Sequence, residues 1–154
     1  MGAGTEATVW DTVERYFDLL QAHADAEVML REILTPDFRT GFSDGYVWEG
    51  AGGLRDFLAA RSVFFDERHT LHQMSAPERG GDGRWTCRTR LSFFLRRLDP
   101  GEAVSREFTG LAWHTWVLDE GPPWRVAAQL VDGFAGMNDN ARALFSRPDE
   151  GLET

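Results

Sequence analysis

The sequence contains no lysine: all 16 of its basic residues are arginine, set against 25 acidic residues for a formal charge of −9. Nucleic-acid backbones and anionic membrane surfaces select basic faces, so this balance argues against both as partners. Cysteine is almost as scarce. Cys87 stands alone, which rules out an intramolecular disulfide and any multi-cysteine zinc site and suits a reducing cytoplasm, the location expected here. No apolar run is long enough to cross a bilayer. The opening MGAGTEATVW has neither the basic start nor the apolar stretch of a signal peptide. Missing too are a Gly-rich phosphate loop ahead of a helix, a Gly-x-Ser-x-Gly turn and a His-Glu-x-x-His helix. Phosphoryl and redox chemistry are therefore not expected, and neither is a metal or an organic cofactor.

What is present is a chain of 154 residues, 42% apolar, enough for one hydrophobic core. Val9, Trp10, Val13, Tyr16, Phe17 and Leu20 recur at helical spacing and predict an amphipathic helix over roughly residues 6 to 24. Asp25 is placed to cap a short second helix carrying Met29, Leu30, Ile33 and Leu34, which Thr35-Pro36 ends. DFRTGFSDGYVWEG reads as two short strands around a turn at Ser43-Asp44-Gly45. A third helix is expected after Gly52-Gly53, carrying Leu54, Phe57, Leu58, Arg61, Phe64 and Phe65. From Glu67 onward the period changes to two. ERHTLHQMSA, RWTCRTRLSFFLRRL, VSREFTGLAWHTWVL and WRVAAQLVDGF are separated by Gly- or Pro-containing turns and predict four strands joined by hairpins. Helices first and strands after predict an α+β domain, a curved antiparallel sheet wrapped around three N-terminal helices. One domain over residues 1–147 and a flexible tail over 148–154 is the expected organisation.

His69 and His72 lie three residues apart in DERHTLHQM. On a helix both imidazoles would share a face, but on a strand they go to opposite faces, so at most one of them enters a given pocket. Pairing residues 84–98 with 104–118 around Asp99-Pro100-Gly101 puts Trp85, Cys87, Thr89, Leu91, Phe93 and Leu95 on one face. Phe108, Gly110, Ala112, His114 and Trp116 join them. Carried to the last strand, that face collects Val126, Ala128, Leu130 and Asp132, while Arg88, Arg90, Thr115 and Gln129 take the other. A bulge would exchange the faces.

The order of elements and the run DFRTGFSDGYVWEGAGGLRDFLAAR resemble the nuclear transport factor 2-like superfamily, in its SnoaL-like branch of polyketide cyclases, ketosteroid isomerases and scytalone dehydratase. The resemblance covers about residues 8 to 134 and implies a cone-shaped sheet enclosing a pocket. It implies Tyr16 as an oxyanion donor on the first helix, and it sets His114 where the isomerases carry a protonated acid. Gly41 stands where they carry the aspartate base. Scytalone dehydratase has a catalytic histidine where this chain has Thr70-Leu71-His72, and Cys87 lies near the place of its second.

His72 is thus a candidate general base, since imidazole titrates near neutral pH; a surface or hydrogen-bonded histidine is the alternative. Burial should keep His114 neutral, able to accept a proton or to donate to an oxyanion, or else simply satisfied by a backbone carbonyl. Asp132 either orients His114 or caps the Gly133 turn. Cys87 reads as packing and not as a nucleophile. Six tryptophans and eleven phenylalanines exceed what a core of this size requires. Trp85, Cys87, Thr89 and Trp116, with Phe42, are the expected wall for a flat apolar ligand.

Two functions follow. One is a cofactor-free dehydratase, isomerase or cyclase acting on a small hydrophobic substrate, polyketide- or terpenoid-like, in bacterial secondary metabolism. The other is a non-catalytic ligand-binding or structural module, such as the small β subunit of a ring-hydroxylating dioxygenase. Phe94, Leu111 and Trp113, among arginines on the outer face, predict a homodimer packed sheet to sheet. The competing expectation is that residues 134–147, with Phe134, Leu144 and Phe145, fold back over that patch.

Overall fold

A computed structural model describes residues 2–145; the tail expected at 148–154 lies outside the described residues. Helix α1 (Gly2–Gln21) buries Val9, Val13, Tyr16, Phe17 and Leu20 along one stripe. It ends at His23, whose φ of 59° is left-handed. The bonds from His23 N to Leu20 O and from Ala24 N to Leu19 O close a Schellman turn there. Asp25 then caps α2 (Ala26–Glu32), its side chain accepting from Val28 N at 2.9 Å.

Strand β1 (Leu34–Phe42) begins earlier than the sequence pattern predicts. Leu34 is a strand residue paired with Val126, and Pro36 sits where the β1 register shifts, so its missing N–H costs no ladder bond. A turn leads to β2 (Val47–Glu49) and α3 (Gly50–Arg61). Position 53 within α3 favours glycine because a Cβ there would stand 3.0 Å from the Trp48 carbonyl carbon. The helix stops at Arg61, and Phe64 and Phe65, expected on it, open β3 (Phe64–Met74) instead. A short apolar run carries no period of its own, and here the strand partners Arg96 and Arg97 decide it.

The remaining strands are β4 (Glu78–Arg79), β5 (Trp85–Arg97), β6 (Arg106–Asp119) and β7 (Arg125–Ala135), followed by α4 (Asp139–Phe145). Seven strands form one curved, unclosed sheet in the order β2-β1-β7-β6-β5-β3, with β4 on β5. The sheet is mixed and not wholly antiparallel, because β1 runs parallel to β7. The fold is α+β as expected, with a fourth helix added to the three.

The β5–β6 hairpin has the expected register, Leu95 facing Phe108 and Thr89 facing His114, and its inner face packs under α1. β7 departs from it twice. Register shifts after Val126 and at Asp132 insert one extra residue each. Gln129 therefore pairs with Trp116 and turns inward, and Leu130 moves to the outer face beside Thr115. Asp132 is itself outward: it accepts from Ser43 Oγ, from Thr115 Oγ1 at 2.7 Å and from Arg88 Nε at 3.1 Å. The expectation that Asp132 shares the face of His114 is thus corrected.

The chain end is corrected as well. α4 folds over the inner side of the sheet, where Phe145 stacks on Phe134 with centroids 4.6 Å apart. It does not cover Phe94 and Trp113; residues 146 and 147 lie outside the described residues.

Candidate active site

The concave side of the sheet, α1, α3 and α4 enclose a cavity of about 300 Å³, at the small end of the range for ligand sites. Its wall is mostly aromatic and aliphatic: Phe17, Phe42, Trp48, Phe57, Phe93 and Phe145 contribute rings. Gly41 lies in the wall at φ 150°, where a Cβ would strike the Tyr46 carbonyl oxygen at 2.2 Å. No side chain fits at that position, so the isomerase-type base has no room there.

The polar groups at the cavity are few, and a chain of hydrogen bonds orders them. Gln129 Oε1 accepts from Tyr16 Oη at 3.2 Å and from Thr40 Oγ1 at 2.7 Å. Its amide nitrogen therefore faces His114 Nδ1, 3.1 Å away, and donates to it. The His114 proton then sits on Nε2, the nitrogen left for a ligand. Burial holds the His114 pKa down to about 4, with the charge of Asp132 opposing weakly through the sheet. The imidazole is neutral at physiological pH.

His69 completes the group from β3. Its ring stacks on Phe17 at 4.3 Å, and Phe17 lies 6.1 Å from the His114 ring. His69 Nδ1 donates to Gln21 Oε1 at 2.9 Å, which leaves an unprotonated Nε2. Burial, then the positive charge of Arg61 and then His114, hold its pKa well below the usual histidine value. The two rings thus have opposite tautomers, His114 offering a proton and His69 a lone pair.

Of the residues singled out from sequence, His114 and Phe42 border the cavity. His72 does not: it is exposed on the outer face, with Nε2 3.0 Å from Ser92 Oγ. A register shift between Leu71 and Gln73 accompanies this, and the inward histidine of the pair is His69. Tyr16 lies behind Gln129, wholly buried, and burial raises its phenol pKa above the free value. It braces the amide and does not border the cavity. Cys87, Thr89 and Trp116 are buried core and not cavity wall, with Trp116 Nε1 donating to Thr89 Oγ1 at 2.9 Å, and Trp85 packs away from the wall against Trp124, ring centroids 5.9 Å apart. Burial pushes the Cys87 thiol up to about 12, consistent with inert packing. Arg61, His69 and Gln129 are site residues that the strand pattern alone does not select. Among the described residues no cluster of three or more His, Cys, Asp or Glu side chains could hold a metal ion.

No protein-family model and no curated protein sequence matches the chain. Solved structures do. ActVI-ORFA from Streptomyces coelicolor superposes with a TM-score of 0.64 at 13% identity, over 86% of this chain and 98% of that one. A scytalone dehydratase-like protein from Novosphingobium aromaticivorans gives 0.69 at 9% identity, covering 88% and 87%. SalBIII, an epoxide hydrolase/cyclase-like enzyme with a role in pyran ring formation in the polyether salinomycin, gives 0.59 at 14% identity, covering 85% and 93%. The architecture is therefore the nuclear transport factor 2-like fold. At these identities the likeness is one of fold; the chemistry has to be read from the cavity.

Proposed function

We propose that the chain is a cofactor-free proton-transfer enzyme, a dehydratase, isomerase or cyclase acting on a small, flat, hydrophobic substrate. The observation that carries this is the pair of neutral imidazoles with opposite tautomers in one apolar cavity. His69 Nε2 is the general base that takes a proton from carbon. His114 Nε2–H donates to the oxygen on which negative charge develops. Gln129, Thr40 and Tyr16 fix the His114 tautomer, so that no reorganisation is needed when charge appears. Both imidazoles stay neutral across physiological pH because burial disfavours their cations. Bacterial secondary metabolism is the setting that the cyclase and dehydratase neighbours support, and the functional unit is a homodimer joined by the outer sheet face.

The test uses 2-tetralone, a bicyclic ketone with acidic protons beside its carbonyl. Its exchange with deuterated water is followed by proton NMR. The wild-type chain should accelerate exchange over buffer, His69→Gln should abolish the acceleration, and His114→Phe should lose most of it. Acceleration that survives in both variants removes the imidazoles from the chemistry. Binding without any acceleration favours the non-catalytic ligand-binding module instead.

A further inference from the structure

Among the described residues that border the cavity, Arg61 alone carries a formal charge. It ends α3 with its side chain 17% exposed, its guanidinium carbon 5.6 Å from the Phe57 ring centroid. Its Nη2 donates to Glu67 Oε1. Glu67 is a residue of β3 whose side chain has 0% exposure. A bulge between Phe65 and Arg68, with Asp66 at φ 51°, accompanies the inward turn of Glu67. On the far side His23 Nε2 stands 3.7 Å from Glu67 Oε2. The carboxylate is therefore walled in on the side away from the cavity, and it tethers one edge of the guanidinium.

A guanidinium has several N–H donors in a planar fork, and Glu67 takes one edge only. The other N–H groups of Arg61 have no hydrogen-bond acceptor among the described residues. Nor are they sealed from solvent: among the described residues, Glu67 Oε2 is the one fully buried side-chain polar atom without a partner. Arg61 borders this cavity beside Leu20, Ala60 and Phe64, and it also borders a neighbouring hollow lined by His23, Asp25 and Glu27. A ligand that fills the apolar cavity displaces water from these charged donors, and it must then supply an acceptor in its place. A neutral carbonyl does not require a full charge, and a phosphate dianion would need more cations than this wall supplies. A carboxylate matches the fork in charge and in shape.

We infer that Arg61, tethered by Glu67, determines specificity at this cavity by recognising a carboxylate carried on an aromatic substrate. The inference rests on the reading of the cavity as a substrate site and narrows the substrate to an aryl acid. The acid group anchors at the α3 end, and the ring lies along the Phe17, Phe42 and Phe93 wall toward the two histidines. Glu67 competes with the substrate for Arg61. Burial also raises its pKa, so proton uptake by Glu67 relieves the crowding of two carboxylates on one guanidinium.

Isothermal titration calorimetry of the full chain with 2-naphthoic acid and with 2-naphthamide at pH 7.5 tests this without reading turnover. The wild type should bind the acid at least about 10-fold tighter than the amide, as expected for a hydrogen bond between charged groups. Arg61→Gln should erase that preference and leave amide binding within about twofold. Arg61→Lys keeps the charge but not the fork, and should retain part of the preference if the glutamine variant does not fold. Glu67→Gln removes the competing anion and should tighten the acid. Equal affinities in the wild type, a preference that persists in Arg61→Gln, or no binding of either probe would each overturn the inference. Weaker acid binding by Glu67→Gln would overturn the part assigned to Glu67. Failure of the imidazole chemistry leaves these binding ratios unmoved, so the two readings fail separately.

Discussion

Gln129 Nε2 donates to His114 Nδ1 across the β6–β7 pair at 3.1 Å, and the two residues are joined through a single amide to Tyr16 and Thr40. That bond sets the His114 tautomer. Replacing the amide with a carboxylate should reverse it. In Gln129→Glu, Nδ1 must become the donor, Nε2 loses its proton, and the adjacent anion raises the His114 pKa from about 4. Nitrogen-15 NMR of the imidazole should show the Nε2–H form in the wild type and an Nδ1–H or doubly protonated ring in the variant. An unchanged spectrum would mean that Gln129 does not control the ring.

Gln129→Leu tests the same network by stability. It leaves two buried hydroxyls, those of Tyr16 and Thr40, without their acceptor, and each unsatisfied group costs about 1–3 kcal/mol. A fall of several degrees in the thermal midpoint is expected. Adding Tyr16→Phe should restore part of it, because the second change removes one stranded donor. A second loss as large as the first would show that the hydroxyl has another role.

The histidines also give a sign to the pH dependence. His114 has a folded pKa near 4 against 6.5 when free, so the unfolded chain binds more protons between those values. Stability is then at its full value above pH 6.5 and falls as pH drops toward 4, by about 3 kcal/mol for a shift of this size. His69 is shifted in the same direction. Glu67 runs the other way: its raised pKa means that stability is lost as pH rises through its folded value. Measured in Glu67→Gln, chemical denaturation from pH 7 down to 4.5 should show stability falling without the opposing contribution of Glu67, and His114→Phe should make that slope shallower, with His69 keeping part of it. An equal slope in His114→Phe assigns the dependence elsewhere.

Much of this architecture is legible in the residues, and what escapes does so where bulges and helix cover override the alternation. The β5–β6 faces follow from alternation because the turn at Asp99-Pro100-Gly101 fixes the register over the whole hairpin, from Arg97–Arg106 to Trp85–Leu118. β7 defeats the same arithmetic. Ala127 and Asp132 are extra residues, and nothing in WRVAAQLVDGF marks a bulge. That is why Gln129 reads as an outer polar residue while it is the acceptor and donor at the centre of the site. His69 and His72 are correctly separated by strand geometry. Which of them turns inward depends on β3 bulges that propensity does not encode. Trp116 and Trp85 share the inner face with His114, but Tyr16 and Phe17 of α1 cover Trp116 and Trp124 covers Trp85, so face alone does not distinguish core from cavity wall.

The position of α4 predicts how ligands enter. Phe145 stacks on Phe134 and meets Phe93 edge-on at 5.7 Å, closing one side of the cavity with Leu144. Phe145→Ala removes this half-buried ring and should cost about 1–2 kcal/mol, less than for a fully buried phenylalanine. Dissociation of 2-naphthoic acid in stopped-flow displacement should accelerate by about 10-fold, as a loss of about 1.4 kcal/mol of contact implies. Equal dissociation rates would make α4 a structural buttress with no part in ligand retention.

On the outer face, Phe94, Leu111 and Trp113 are half-exposed, with Val117 and Leu130 beside them. Arg68 and Arg96 stack their guanidinium carbons 4.4 and 5.2 Å from the Phe94 centroid, and Arg96 also pairs with Glu107 and Asp66, so the apolar strip has an arginine-containing, charged rim. Since α4 lies against the inner side of the sheet, it leaves this strip uncovered. A two-fold contact would bring the same strip of each copy together, burying both tryptophans at its centre. Trp113→Glu would place a carboxylate in that centre, opposite its own copy, where desolvation and like-charge repulsion both oppose association. Light scattering should therefore report a dimer for the wild type and a monomer for Trp113→Glu, with circular dichroism unchanged. The Trp113 side chain is not part of the cavity wall, so binding of 2-naphthoic acid should survive in the variant. A wild-type chain that stays monomeric at high concentration would show that the strip is not a self-association surface.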